Sequence, residues 1–289
     1  MASGGGESAG EYITHHLTNW CVGCNPATNQ PTGLVDMGAF NLDVILISVL
    51  IAAGLIALAW FMHRRWRVET PGRFQYSLEF IVEYIGDQVR EVFPKANNYV
   101  GAMALTIFLW VFLMNAMDLI PIDLIPSIAG GIGQLFGIET VYFRDVPTAT
   151  LDVPFAMAIV VFVLMIYYQL RANGLGGYVK RFLFHPYGKF GGPANVVTTL
   201  IDDLAKPVSL ALRLFGNMFA GELIFALLAM LTLSAIQPFV WSHLWQIPAH
   251  FLAGVAWTMF DLLIATLQAF IFGVLAIVYL GMAQQTAEH

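Results

Sequence analysis

Arg213 lies inside the apolar run Pro207-Val-Ser-Leu-Ala-Leu-Arg-Leu-Phe-Gly-Asn-Met-Phe-Ala-Gly-Glu-Leu-Ile-Phe225, and no Lys or Arg follows it before His289. A guanidinium at bilayer depth costs at least ~2.5–3.5 kcal/mol on insertion scales, and it cannot shed its proton to escape that cost. The chemistry open to it is to hold an anion. At about 100° per residue, Asp202, Lys206, Ser209, Arg213, Asn217 and Ala220 project within about 40° of one line, a polar stripe on an otherwise apolar helix. Gly216, Ala220 and Gly221 would let another helix approach that region closely. The plainer readings are snorkelling for Lys206 and a structural ion pair for Arg213.

Glu222 stands nine residues beyond Arg213, on the opposite face and about 13.5 Å further along the axis. The two therefore do not simply pair. A carboxylate at membrane depth is a functional candidate by default, with an Asn or backbone partner as the alternative. Asp261 and Gln268 are seven residues apart and share a face with Thr258 on the last apolar segment. Asp261 is expected near the outer leaflet at a depth like that of Glu222, so the two carboxylates would be steps of a proton path. Gln268 falls deeper, near Arg213 or satisfied within the bundle. Asn115, Asp118, Asp123 and Arg144 gather around the outer end of the second apolar segment and the Pro-rich stretch after it. They would line an outer aqueous vestibule, although Asp123, between Pro121 and Pro126, serves equally well as a loop cap. Asp43 reads as a cap on the first span. Asp202, Asp203, Lys206 and Ser209 are candidates for an inner exit.

The elements that must position these residues are membrane spans. The 289 residues are 58% hydrophobic and 11% charged, far from the ~25% charged of soluble domains. Apolar segments run over 42–61, 100–120, 153–168, about 193–233 and about 248–282, which predicts an all-α integral membrane protein with five crossings. A helix of about 35 residues extends about 52 Å against a hydrocarbon core of about 30 Å, so the last two are expected to be steeply tilted. Residues 74–93 place Leu78, Ile81, Val82, Ile85, Val89 and Val92 at helical spacing, the pattern of an amphipathic helix on the inner membrane surface. Residues 1–63 hold no Lys or Arg, whereas Arg64, Arg65, Arg67 and Arg73 arrive together and Arg171, Lys180, Arg181 and Lys189 follow the third span. The positive-inside rule then puts the N-terminus outside and the C-terminus inside, with 1–40 a polar outer tail and 41–289 one membrane domain.

The net charge of −6 argues against a nucleic-acid partner. No Gly-rich phosphate loop occurs, so no nucleotide site is expected, and no cofactor or metal is required. Without a basic start and apolar core near the N-terminus, the first span is expected to serve as its own insertion signal. Cys21 and Cys24, with His15 and His16 upstream, are compatible with a disulfide, a zinc site or free thiols, and spacing alone leaves these open.

The segments Lys206-Pro-Val-Ser-Leu-Ala-Leu-Arg-Leu-Phe-Gly-Asn-Met-Phe-Ala-Gly-Glu222 and Thr266-Leu-Gln-Ala-Phe-Ile-Phe-Gly-Val-Leu-Ala-Ile-Val-Tyr-Leu280 closely resemble subunit a of bacterial F-type ATP synthases. Phe112-Leu-Met-Asn-Ala-Met-Asp-Leu-Ile-Pro-Ile-Asp123 also looks like that family's second span. The likeness covers most of 70–283 and fades over the first forty residues. It implies a proton-translocating stator subunit of the bacterial inner membrane, with no catalytic nucleotide site of its own. The implied partners are membrane lipid, the ring of c subunits, the b subunits of the peripheral stalk and the remaining synthase subunits. The resemblance also implies that Arg213 faces the ring carboxylates, that Asn217 and Gln268 are its polar neighbours, and that Glu222 and Asp261 belong to an outer access channel. Relatives often carry a histidine at one of the last two positions; here both are acidic, so they are expected to titrate as a coupled pair. A secondary proton-coupled transporter is the rival class, but it would show repeated halves and broken midplane helices, neither of which is present.

Overall fold

The computed structural model describes residues 18–25, 38–67, 71–92, 98–120, 124–135, 137, 142–144, 146–184, 187–188, 191–236 and 246–285. A two-residue antiparallel pair, β1 (Cys21–Val22) and β2 (Phe40–Asn41), precedes α1 (Leu42–Arg65), α2 (Arg73–Val92), α3 (Asn98–Ala116), α4 (Leu124–Leu135), α5 (Asp152–Phe184), α6 (Gly192–Ile236) and α7 (Gln246–Gln285). Short 3₁₀ turns follow α3 at Met117–Leu119 and precede α5 at Pro147–Ala149. Five of the described helices are long and apolar enough to cross a membrane: Leu42–Arg65, Tyr99–Leu119, Asp152–Phe184, Gly192–Met230 and Pro248–Met282. The chain is a multi-pass all-α membrane protein, as the hydropathy pattern required.

The helices form for local reasons. α1 carries Asp43 in its first turn and His63, Arg64 and Arg65 in its last, which complements the partial charges at its ends. Arg64 and Arg65 fold back over the rings of Trp60 and Phe61, at 4.1 and 4.6 Å from the centroids. α5 continues well past the apolar run that ends at Tyr168. Its Gln169-Leu-Arg-Ala-Asn173 continuation stays helical until Gly174, whose φ of +66° interrupts the regular geometry. Gly alone adopts that conformation without strain.

The chain divides into two compact units. The first comprises Met1–Leu55, Leu113–Thr150 and Gly216–Thr266. It holds the strand pair, the start of α1, the end of α3, α4, the loop leading to α5, and parts of α6 and α7. Its buried side chains include an unusual share of charge, with Asp43, Asp118, Arg144, Glu222 and Asp261 all buried.

The second unit comprises Ile56–Phe112, Leu151–Phe215 and Leu267–His289. Here the apolar face of α2 is used against protein: Ile85 and Val89 pack with Val100, Ala104 and Ile277, and Ile81, Val92, Leu105, Phe108 and Tyr168 close around them. Val82, on the flank of that face, stays exposed. Ala269 and Ala276 of α7 and Ala211 of α6 are fully buried. Small residues are what let membrane helices approach, since lipid offers no hydrophobic drive to bring them together.

Candidate functional site

Within the first unit, one cluster grows from the loop at 142–150. The described residues of that loop, 142–144 and 146–150, are buried almost throughout, which is costly unless their backbone is paired. The pairing is local: Ala149 N–H donates to Val146 O, and Thr150 donates through N–H and Oγ1 to Pro147 O. Arg144 is thereby fixed inside. Its backbone N–H donates to Asp43 Oδ2 at 3.1 Å and its Nη2 to Ala149 O at 3.0 Å. Its Nε reaches Glu222 Oε1 and Oε2 at 2.9 and 3.1 Å, and Nη2 also donates to Glu222 Oε2. The outcome is a forked ion pair with both partners buried. Such a pair is held by geometry and hydrogen bonds, since desolvating two charges consumes most of their Coulomb attraction.

Gly221, next to Glu222, faces two further carboxylates. A Cβ at Gly221 would lie 2.7 Å from Asp118 Oδ2 and 3.2 Å from Asp261 Oδ1, so the absence of a side chain is what lets these groups share the space. Asp261 is fully buried, and neither of its carboxylate oxygens has a hydrogen-bond partner among the described residues. The same holds for the side-chain amide of Asn115, one turn before Asp118. Buried polar atoms of this kind call for water or a proton to satisfy them.

The second unit contains the other half of the sequence-derived set. Asp202, Ser209 and Arg213 are exposed along one face of α6 and Lys206 is half-buried, while Asp203, Leu210, Ala211 and Leu214 are buried on the opposite side. Further along the same helix Gly216, Asn217 and Ala220 are exposed as well. Among the described residues no carboxylate forms an ion pair with Arg213. Asp203 instead accepts from Arg181 Nη2 at 2.8 Å and from Lys206 Nζ at 3.1 Å, so Lys206 is engaged with Asp203 as well as lying on the stripe. Gln268 is buried in this unit, and no hydrogen bond joins it to Arg213 among the described residues. Asp123, His15 and His16 lie outside the described residues.

Asn115, Asp118 and Arg144 are all buried in the first unit, and two pairings were not anticipated from the sequence. Glu222 pairs with Arg144. Asp43 does bond the N–H of Val44 at 2.8 Å, but it also takes the N–H of Trp20 and of Arg144. A signal for the first existed: between Lys95 and Arg171 the sequence holds no Lys or Arg but Arg144, and a buried charge needs an opposite one. Cys21 and Cys24 form a disulfide. Among the described residues no group of three or more His, Cys, Asp or Glu is placed to hold a metal ion.

Comparison with known proteins decides the family. The profile described as ATP synthase A chain matches residues 45–281. The chain belongs to the ATP synthase A chain family. It is 42% identical over 279 residues to ATP synthase subunit a of Coxiella burnetii, an alignment covering 96% of this chain and 97% of that protein. It is 38% identical over 301 residues to ATP synthase subunit a of Psychrobacter cryohalolentis, covering 99% of each. Psychrobacter arcticus has a subunit a that is 37% identical over 301 residues, again with 99% of both chains covered. As a member of the ATP synthase A chain family this multi-pass protein serves proton transport in ATP synthesis.

Proposed function

We propose that this chain is the stator half of a rotary proton channel, with two offset half-channels that meet at Arg213. The observation that carries the reading is the exposed stripe on α6. Arg213 stands in the middle of an apolar helix, on a face exposed among the described residues, as are Ser209, Gly216, Asn217 and Ala220. The opposite face is buried. A charge placed that way is complete only with an anion from another polypeptide, and a ring of c subunits bearing one carboxylate each supplies it.

The chemistry follows from charge. At an effective dielectric of ~20, opposite charges 4 Å apart attract by about 4 kcal/mol, equivalent to a factor of about a thousand in proton affinity. A ring carboxylate reaching Arg213 releases its proton, and one leaving for lipid must first take one up. The outer half-channel is the buried cluster of Asn115, Asp118, Glu222 and Asp261, with Arg144 holding Glu222 in place. Asp202, Lys206 and Ser209 lead to the inner side, and Gln268 and Asn217 support Arg213. Because Arg213 keeps its charge it also blocks direct passage between the half-channels, so proton flow requires rotation. Each proton crossing 100 mV supplies about 2.3 kcal/mol to that rotation.

The basic residues clustered at 64–73 and 171–189 support a periplasmic N-terminus, a cytoplasmic C-terminus and residence in the bacterial inner membrane. On this reading 1–40 is an outer tail, 41–289 is the channel-bearing membrane domain, and b subunits of the peripheral stalk and the remaining synthase subunits hold it against the ring. The decisive experiment is Arg213→Ala in the assembled synthase, reconstituted in vesicles. ATP synthesis driven by an imposed proton gradient falls to background; synthesis at the unmodified rate would refute the assignment.

A further inference from the structure

The geometry points to a positioning role for Asp43 and the Cys21–Cys24 disulfide: together they set where Arg144 holds Glu222. This inference rests on the proposed function only in taking Glu222 as a step of the outer half-channel.

Asp43 is fully buried and both of its oxygens are used. Oδ1 accepts from Val44 N–H at 2.8 Å, while Oδ2 accepts from Trp20 N–H at 3.0 Å and Arg144 N–H at 3.1 Å. Capping α1 needs only the first of these. The other two reach segments 23 and 101 residues away. Arg144 itself lies outside any helix or strand. It is anchored at its backbone by Asp43 and at its guanidinium by Ala149 O and Glu222. If the backbone anchor is removed, the guanidinium approaches Glu222 from a different origin.

The disulfide holds the far side of the same anchor. Trp20 is fixed on both edges of its backbone, since its O accepts from Leu42 N–H at 2.9 Å while its N–H goes to Asp43. The next residue is Cys21, which opens the two-residue ladder Cys21↔Asn41, Val22↔Phe40. So short a ladder is marginal by itself. The Cys21–Cys24 bond closes the turn at its end. Within that turn Gly23 has φ +85°, and a Cβ there would fall 2.1 Å from Gly38 O. The cross-link removes unfolded alternatives for this segment, and so keeps the Trp20 N–H aimed at Asp43.

Among the described residues, the buried charged groups of this unit besides Glu222 are Arg144 from the loop, Asp118 from the turn after α3, Asp261 from α7 and Asp43 from α1. Asp43 and the disulfide act on Glu222 through Arg144.

The test uses the whole synthase in membrane vesicles and reads proton conduction as a function of outer-side pH. Asp43→Asn keeps the size and one acceptor oxygen but turns an NH₂ toward two N–H donors. It lowers conduction about tenfold, within the range that an ångström-scale displacement of a working group produces, and moves the midpoint of the pH curve. The Cys21→Ser/Cys24→Ser variant changes both readouts in the same sense by a smaller amount. In a Glu222→Gln background Asp43→Asn adds no further loss. A wild-type rate and midpoint for Asp43→Asn, or a full additional loss on top of Glu222→Gln, overturns the positioning role alone. If Asp43→Asn chains fail to enter the synthase, the cysteine variant decides by the same two readouts. Wild-type conduction in Glu222→Gln by itself overturns this inference through the proposed function on which it rests.

Discussion

Gly221→Ala adds one methyl group at the point where two carboxylates meet. That carbon would sit 2.7 Å from Asp118 Oδ2 and 3.2 Å from Asp261 Oδ1, whereas ordinary contact begins at 3.4 Å. The Asp118 oxygen must therefore retreat by roughly 0.7 Å, at an overpacking cost of about 1–3 kcal/mol. Ala returns about 0.5–1 kcal/mol through its better helix propensity. The net cost of about 0–2.5 kcal/mol leaves the chain foldable and able to enter the synthase. Its effect on proton movement is larger, because displacing a working group toward the ångström scale costs up to ~10²-fold in rate. The assay is passive proton conduction through the membrane sector, normalised to the amount of assembled complex. Gly254→Ala is the matched control, since a Cβ there meets nothing within 4 Å. Equal conduction by the two variants at equal complex content would show that the carboxylates beside Gly221 are not on the proton route.

The Arg144–Glu222 pair makes its own prediction. Arg144→Gln or Glu222→Gln alone strands a buried charge at about 3–5 kcal/mol, so each lowers the melting temperature of the detergent-solubilised complex. The double variant loses less than the two separate losses combined by at least about 1.5 kcal/mol; strict additivity would mean the pair contributes no coupling. Asn195→Ala removes three hydrogen bonds, those with Tyr187 N–H, Leu183 O and Gly188 O. At about 1 kcal/mol each this costs roughly 3 kcal/mol. It should appear as lowered thermal stability, with the block of synthesis on Arg213→Ala unchanged in that background.

The five spans were legible because hydrocarbon imposes a length and a composition that single side chains cannot disguise. The ends were less so. α5 runs past Tyr168 to the kink at Gly174 and resumes from there to Phe184, since hydropathy registers where a helix leaves lipid and not where it stops being helical. α4, at Leu124–Leu135, lay in a stretch whose prolines read as a loop, although Pro126 is tolerated in a helix's first turn. The stripe containing Arg213 was readable because six positions on one helix share a direction whatever the helix packs against. Pairings between segments were not. Glu222 and Arg144 are 78 residues apart and Asp43 and Arg144 are 101 apart, and nothing in local spacing joins them. The disulfide was one of three chemistries that two cysteines at this spacing permit, and only the fold chooses among them.

The anchors at the beginning of α6 have a mechanical meaning. Asn195 ties the helix to the end of α5, and one turn before Pro207 the Asp203 carboxylate is gripped by Arg181. These attachments sit about 27 Å and about 15 Å from Arg213 along the axis. A helix clamped that way cannot spin about its own length. Since one residue corresponds to about 100° of rotation, even a fraction of a step would aim the guanidinium elsewhere. Under the proposed function, Asn195 and Asp203 would work as an indexing pin: they would set the angular phase at which a fixed charge meets whatever slides past it, and would carry the tangential load that the encounter returns.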